Sequence, residues 1–203
     1  LQVESALVIS NTISYLLDNN DTFFDKLMVF DERVLKKYEK AILFLPNAQW
    51  FWVKPTNELK INYNLPNELP IDYEIKNKRF NVSMLCGDKN WCAGHKIRRE
   101  FWLNQDKITI PKNFYYSLRN KNHGGTTKEL PIYENNLQIK HAIDKTECFI
   151  DSMFHIAIEN NKSINYFSEK LIDCIISKTI PIYYGCPNIG DYFNIKGFII
   201  INS

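Results

Sequence analysis

The sequence predicts an α/β protein whose mostly parallel sheet is covered by helices on both faces. From Arg79 onward, short apolar runs rich in Ile, Phe and Tyr alternate with segments of helical periodicity. Strands that alternate with helices are typical of a parallel sheet, because each return to the same edge needs a crossover. The chain has 203 residues, of which 45% are hydrophobic, so an ordinary core can form.

The first 53 residues carry a strand–helix pattern that lacks its beginning. The expected elements are a helix at 6–19, a strand at 26–30, a short helix at 31–38 and a strand at 41–45. Asp31 stands where the N-cap of the short helix is expected. Residues 54–78 contain Pro55, Pro66 and Pro70 and show no sustained period, which predicts a linker or crossover.

Residues 79–203 are predicted to form the larger Rossmann-like half. Strands are expected at 80–86, 113–118, 153–159, 179–184 and 198–202, helices at 94–103, 136–150 and 168–177, and a helical turn at 188–193. Ser168 is the expected N-cap of the third helix, whose apolar face is expected to comprise Leu171, Ile172, Ile175 and Ile176. Gly185 is expected to allow a close approach or a positive φ. Because the chain stops just after a strand, it has the appearance of a fragment.

The charge distribution argues against nucleic acid as the ligand. The net charge is +2, too small for binding by bulk electrostatics. Residues 87–122 nevertheless hold eight lysines and arginines against three acids. A local excess of this size suits a compact anion better than a long polyanion.

The cysteines predict a reduced interior. Five are present, an odd number with no C-x-x-C pair, so neither disulfides nor zinc are expected. The sequence shows no apolar stretch near the ~20 residues of a membrane span and no signal-peptide pattern. These features favour a cytoplasmic location, unless the chain is an excised lumenal domain, and contact with a membrane surface stays open.

Residues 157–193 contain the strongest candidate site. Glu159 and Asn160 follow a predicted strand, and Glu169 and Lys170 begin a predicted helix after Tyr166. Phosphate favours a helix N-terminus with a nearby lysine, and sugar hydroxyls favour short polar and acidic side chains. A lysine in the first helical turn opposes the helix dipole unless an anion binds there. The alternative is a capped helix with a solvated Glu–Lys pair.

A second candidate segment covers residues 83–99. Here a strand leads through a polar loop into a helix that carries His95, Arg98 and Arg99. A guanidinium can bind two phosphate oxygens at once, and Arg98 flanks the packed stripe formed by Ile97 and Phe101. Arg98 and Lys170 are both expected to be partly exposed. A basic, solvated helix end is the alternative for this segment. His95, which has no identifiable carboxylate partner, is expected to be structural.

Residues 154–194 resemble the signature of the family 10 glycosyltransferases, the α1,3/α1,4-fucosyltransferases. The motifs F-x-x-x-x-E-N, Y-x-[ST]-E-K and [TV]-[IV]-P-I-Y-x-G occur here in order, followed by Phe193-Asn194 before the next strand. The resemblance is looser upstream. It implies a GT-B fold of two Rossmann-like halves, with residues 1–53 as a remnant of the acceptor-side half, 54–78 as linker and 79–203 as the nucleotide-sugar half.

The resemblance also implies roles for individual residues. Arg98 and Lys170 would bind the diphosphate, Glu169 the fucose ring, and Asn160 and Tyr166 would complete the donor site; Glu4 is the candidate general base. The implied reaction is an inverting transfer of fucose from GDP-fucose to a glycan hydroxyl, without metal or other cofactor. The chain contains no D-x-D triplet.

The sequence leaves other functions open. One is a GT-B glycosyltransferase with another nucleotide-sugar donor, because a scaffold determines diphosphate binding more firmly than sugar identity. A second is a non-catalytic nucleotide- or carbohydrate-binding module. A third and weaker one is nucleic-acid binding through the basic residues between Lys89 and Lys121.

Overall fold

The computed structural model describes residues 10–20, 22–46, 52–53, 68–69, 78–87, 89–117, 140–141 and 145–202. In chain order its elements are α1 (Ser10–Asp18), β1 (Leu27–Val29), α2 (Glu32–Lys37), β2 (Ala41–Leu43), β3 (Trp52–Val53), β4 (Glu68–Leu69), β5 (Arg79–Gly87), α3 (Ala93–Leu103), β6 (Lys112–Ser117), β7 (Lys140–His141), β8 (Ser152–Ile158), α4 (Glu169–Ile176), β9 (Ile180–Tyr184) and β10 (Ile199–Ile200). The predicted α/β class is confirmed.

The main sheet has six parallel strands in the order β10-β9-β8-β5-β6-β7. On one side of β5 the chain adds β6 and then β7. It then returns to the other side of β5 and adds β8, β9 and β10 in that order. This is the 3-2-1-4-5-6 order of dinucleotide-binding sheets, in which ligands bind where the strand order reverses. The reversal lies between β5 and β8, beyond Gly87 and Ile158.

Apolar side chains cover both faces of this sheet. Because successive side chains of a strand alternate between faces, Ile156 and Ile158 of β8 face the α3 side while Ala157 faces the α4 side. Trp102 packs on the first face, and Leu171 on the second. Full burial of a side chain such as that of Leu171 stabilises the folded protein by roughly 1.5–3 kcal/mol. Burial on both faces is what a parallel sheet requires.

The N-terminal elements form a smaller cluster. β1 and β2 pair in parallel, and Ile13, Leu16 and Val34 are buried against them. Asp31 caps α2 as predicted, because its Oδ1 accepts a hydrogen bond from the backbone N–H of Arg33 at 3.0 Å. A capping side chain of this kind stabilises a helix by about 1 kcal/mol.

The predicted linker or crossover at 54–78 is described only at residues 68–69 and 78, and β4 at 68–69 pairs in parallel with β3. Two local predictions differ from the structure. The described residues within 136–150 are not α-helical, because they comprise β7, a 3-10 turn at Lys145–Cys148 and the turn that follows it. In α4, Ile175 is 40% exposed, and the buried positions are Leu171, Asp173 and Cys174. Asp173 can be buried because Lys145 Nζ lies 2.6 Å from its Oδ2. Leu171, Ile172 and Ile176 of the predicted face do pack in the core.

Two buried histidines predict that stability decreases in acid. His155 forms a hydrogen bond with Ser83 Oγ through Nδ1 at 2.8 Å and stacks on Phe149. Burial, followed by nearby cations, lowers the pKa of His155 to about 3 and that of His95 to about 4. The unfolded chain, with histidine pKa values near 6.5, therefore binds protons that the folded protein does not. We expect the free energy of unfolding to fall below pH 6.5, by up to about 1.4 kcal/mol per pH unit for each histidine.

Urea unfolding at pH 7.5, 6.5 and 5.5 measures this slope. His155→Asn is the matched variant, since its amide can still face Ser83 Oγ but does not titrate. We expect a shallower slope in this variant. An unchanged slope would show that His155 does not contribute to the acid sensitivity.

Candidate functional site

The two segments that carry the predicted site residues meet at the reversal of the strand order. The backbone N–H of Gly94, in the first turn of α3, donates to Asn160 O at 2.8 Å. A Cβ added to Gly94 would lie 1.7 Å from Glu159 O, so only glycine fits at this contact. The N-terminus of α3 is therefore packed directly against the residues that follow β8.

Arg98 binds the end of β8 from the α3 side. Its guanidinium donates to Ile158 O through one terminal nitrogen and to Asn160 Oδ1 through the other, the latter at 3.0 Å. Arg98 is 9% exposed, and burial lowers its pKa, although nearby thiols and carboxylates oppose the shift. The expectation of a partly exposed Arg98 was wrong, because the guanidinium turns inward to bind the strand end. A guanidinium carries five N–H donors, more than these two bonds use.

Glu159 links the end of β8 to the beginning of α4. Its side chain is fully buried, and its two oxygens accept hydrogen bonds from Ser168 N at 2.8 Å and Ser168 Oγ at 2.6 Å. Burial raises the pKa of Glu159, and the charge of Lys170 and the bonds from Ser168 partly offset that effect. Gly185 makes the predicted close approach, because a Cβ there would lie 2.5 Å from Glu159 Cγ. In the sequence Glu159 is the acidic residue of the motif F-x-x-x-x-E-N, but the sequence assigns it no role of its own.

Lys170 lies beside two carboxylates at the start of α4. Its Nζ is 2.9 Å from Glu169 Oε1, 3.7 Å from Glu159 Oε2 and 3.0 Å from Ser168 Oγ. Desolvation opposes its charge, but Glu159 and Glu169 more than offset this and raise the pKa of Lys170. The pKa of Glu169 is lowered, because Lys170 and Lys145 outweigh the effect of burial. The side chains of Lys170 and Glu169 are 23% and 22% exposed.

The structure brings Arg98 and Lys170 together from opposite faces of the sheet. Arg98 binds Ile158 and Asn160, while Lys170 approaches Glu159, the residue between them. The charge of Arg98 reduces the rise in the pKa of Lys170 that the two carboxylates cause. The two cations therefore interact electrostatically. Two fixed cations beside the N-termini of α3 and α4 form an arrangement suited to a diphosphate.

The remaining predicted site residues differ in their surroundings. Tyr166 is 1% exposed and its ring lies 5.4 Å from that of Phe30, so in this structure it is a core residue with little surface for a sugar. Its role in donor binding stays a prediction. His95 is buried beside Trp91, in keeping with a structural role. Glu4 lies outside the described residues.

Other features of the described residues concern cofactors and membranes. All five cysteines are buried and have free thiols. Within the described ranges, no group of three His, Cys, Asp or Glu side chains is placed to hold a metal ion. A search of the same ranges finds no helix long and apolar enough to cross a bilayer.

Comparison with known proteins supports the resemblance seen in the sequence. No model of a protein family matches the chain. The α-(1,3)-fucosyltransferase FucT of Helicobacter pylori is 37% identical to it over 60 residues, which are 30% of this chain and 13% of that enzyme. A crystal structure of an α1,3-fucosyltransferase with GDP matches 90% of this chain with a TM-score of 0.55 and 23% identity. The chain resembles α1,3-fucosyltransferases in sequence and in fold.

The match extends over part of these proteins. The chain spans 54% of the length of the α1,3-fucosyltransferase solved with GDP, and a smaller share of the H. pylori enzyme. An α1,3-fucosyltransferase solved with GDP-fucose matches 64% of this chain and 32% of its own length, with a TM-score of 0.44.

Proposed function

We propose that the chain is the donor-binding part of a glycosyltransferase that transfers fucose from GDP-fucose to a glycan hydroxyl. The observation that carries this proposal is the approach of Arg98 and Lys170 to one strand end at the reversal of the sheet order. The similarity to an α-(1,3)-fucosyltransferase over 60 residues favours GDP-fucose over other donors. The fold alone would leave the donor sugar open.

The proposed chemistry is an inverting, metal-independent displacement. A carboxylate, for which Glu4 is the candidate, takes the proton of the acceptor hydroxyl, and the hydroxyl oxygen forms a bond to the anomeric carbon of fucose. The bond from that carbon to the diphosphate oxygen breaks, and GDP leaves with the electron pair. Arg98 and Lys170 stabilise the negative charge on GDP, and Asn160 and Glu169 hold the sugar. Removal of one such cation should cost on the order of 10²–10³ in rate.

Calorimetric titration with nucleotides in EDTA tests the donor and the absence of a metal requirement. We expect GDP and GDP-fucose to bind with similar affinity in EDTA and in magnesium, because protein cations neutralise the diphosphate. GDP-mannose and UDP-sugars are the matched competitors and should bind more weakly.

Three outcomes separate this proposal from its alternatives. Equal binding of all GDP-sugars would favour a GT-B enzyme with another donor. Tight binding of GDP-fucose without transfer of fucose to any acceptor would favour a non-catalytic module. The absence of GDP binding would overturn the proposal. The anomeric configuration of a product, determined by NMR, would test inversion directly.

A further inference from the structure

Asn165 adopts an unusual conformation in the loop that leads into α4. Its φ is 60°, in the left-handed region that residues other than glycine seldom adopt, and its side chain is 6% exposed. Asn tolerates this conformation better than most residues, but a stable arrangement needs supporting contacts. Asn165 lies three residues before Ser168, the N-cap of the helix that carries Glu169 and Lys170.

The first set of contacts joins this loop to the turn after β9. Asn165 N donates to Asn188 Oδ1 at 2.9 Å, and Asn188 Nδ2 donates back to Asn165 Oδ1 at 2.8 Å. Tyr192 OH donates to the same Oδ1 at 2.6 Å. Asn188 also lines a cavity of about 520 Å³ at the carboxyl ends of β9 and β10. Three hydrogen bonds therefore fix Asn165 against the nucleotide-sugar half of the protein.

The second set of contacts joins the loop to the N-terminal cluster. Asn165 Nδ2 donates to Phe30 O at 3.4 Å, and Phe30 follows directly after β1. The ring of Phe30 packs on Tyr166, the next residue of the loop. A single amide thus contacts the turn after β9 through its oxygen and the end of β1 through its nitrogen.

The residues between Asn165 and α4 are held in place by burial and hydrogen bonds. Tyr166 and Phe167 are 1% and 2% exposed, and Ser168 is held by two hydrogen bonds to the buried Glu159. A close-packed interior transmits small displacements instead of absorbing them. A shift of Asn165 should therefore move Ser168 and, with it, the first turn of α4.

We propose that Asn165 is a positioning residue that couples the end of β1 to the diphosphate-binding turn of α4. This inference rests on the proposed function, because it assigns nucleotide binding to Lys170. Through Asn165 and Ser168, a displacement at the end of β1 would reach the first turn of α4. Asn165 acts through Ser168 and needs no contact with the ligand.

Asn165→Asp is the variant that tests this coupling. Aspartate tolerates the left-handed conformation, and its carboxylate can still accept from Asn188 and Tyr192, but it cannot donate to Phe30 O. Tyr192→Phe is the matched control, since it removes one bond to the same oxygen and leaves the bond to Phe30. Asn165→Gly keeps the backbone conformation and removes every side-chain bond.

Two measurements are made on each variant: amide hydrogen exchange by mass spectrometry and the Kd for GDP. For Asn165→Asp we expect at least about 5-fold faster exchange in residues 166–171, unchanged exchange in β8, and about 3- to 10-fold weaker GDP binding, the range of one hydrogen bond. Asn165→Gly should show larger effects of the same kind. Tyr192→Phe should change exchange and affinity by less than about 2-fold, because both bonds to Asn188 and the bond to Phe30 O, which carries the coupling, remain.

The inference would be overturned if amide exchange in residues 166–171 and the Kd for GDP were the same in Asn165→Asp as in the wild type. Faster exchange in residues 166–171 and in β8 alike would also overturn it, because that result indicates a role in global stability only. If the unmodified protein does not bind GDP, the proposed function fails, and the exchange measurement still decides whether Asn165 holds the loop.

Discussion

Replacing Gly94 by alanine is expected to unfold or severely destabilise the protein and to abolish nucleotide binding. The new Cβ would lie 1.7 Å from Glu159 O, 2.8 Å from Glu159 C and 2.9 Å from Asn160 O. All three atoms belong to the backbone at the end of a central strand, so no side chain can move aside. Alanine favours a helix by about 1 kcal/mol over glycine, but this gain is smaller than the steric cost. We expect the free energy of unfolding to fall by about 3 kcal/mol or more.

Urea unfolding and GDP titration measure the two effects of Gly94→Ala. Gly197→Ala is the matched control, because a Cβ there meets no atom within 4 Å, and its stability should stay within about 0.5 kcal/mol of the wild type. A stable Gly94→Ala variant that binds GDP normally would show that α3 need not pack against residues 158–160. In that case the position of Arg98 would not depend on this contact.

Local patterns were sufficient to predict much of the fold. Asp31 and Ser168 stand before apolar-periodic segments, and both cap helices in the structure. The strands around Met84, Ile156 and Ile182 are largely apolar, as expected for strands buried on both faces, although β5 and β8 also bury Ser83 and His155. These predictions succeeded because capping and strand formation depend on neighbouring residues.

Features that depend on distant residues could not be predicted in this way. The buried Asp173 depends on Lys145, which lies 28 positions earlier in the chain. Arg98 was expected to be partly exposed beside the packed stripe of its helix, yet its partners, Ile158 O and Asn160, come from a strand end 60 and 62 positions later. A sequence pattern indicates which residues are polar, but only the fold shows which of them are brought into contact.

The candidate site shows the same division. The motif placed Asn160, Glu169 and Lys170 near one another, and the structure brings them to one strand end with Arg98. The motif did not show that Glu159 would join the strand end to Ser168 and Lys170. Burial of this carboxylate is costly without partners, and its partners, Ser168 and Lys170, are supplied by the loop and helix that follow.

Replacing Lys170 by methionine is expected to weaken GDP binding about 10- to 100-fold, the effect of losing a charged hydrogen-bond donor. The same change should lower the free energy of unfolding by about 3 kcal/mol. This is the lower end of the range for breaking a buried ion pair, because Ser168 still donates to Glu159. Calorimetry measures the first effect and urea unfolding the second.

The loss of stability should depend on pH. Burial raises the pKa of Glu159 above its ordinary 4.5, so the stability linked to its protonated form is present below that pH and is lost as pH rises through the folded pKa. Removing Lys170 raises the folded pKa further. Lys170→Met should therefore be more destabilised relative to wild type at pH 8 than at pH 5.

A double variant separates the structural effect of Lys170 from its effect on binding. In Lys170→Met with Glu159→Gln, the buried group is neutral and nearly isosteric, so stability should return to within about 1 kcal/mol of Glu159→Gln alone. The affinity for GDP should not recover, because the cation that meets the diphosphate is still absent. If affinity returned together with stability, Lys170 would act only by balancing Glu159, and its assignment to the diphosphate would be wrong.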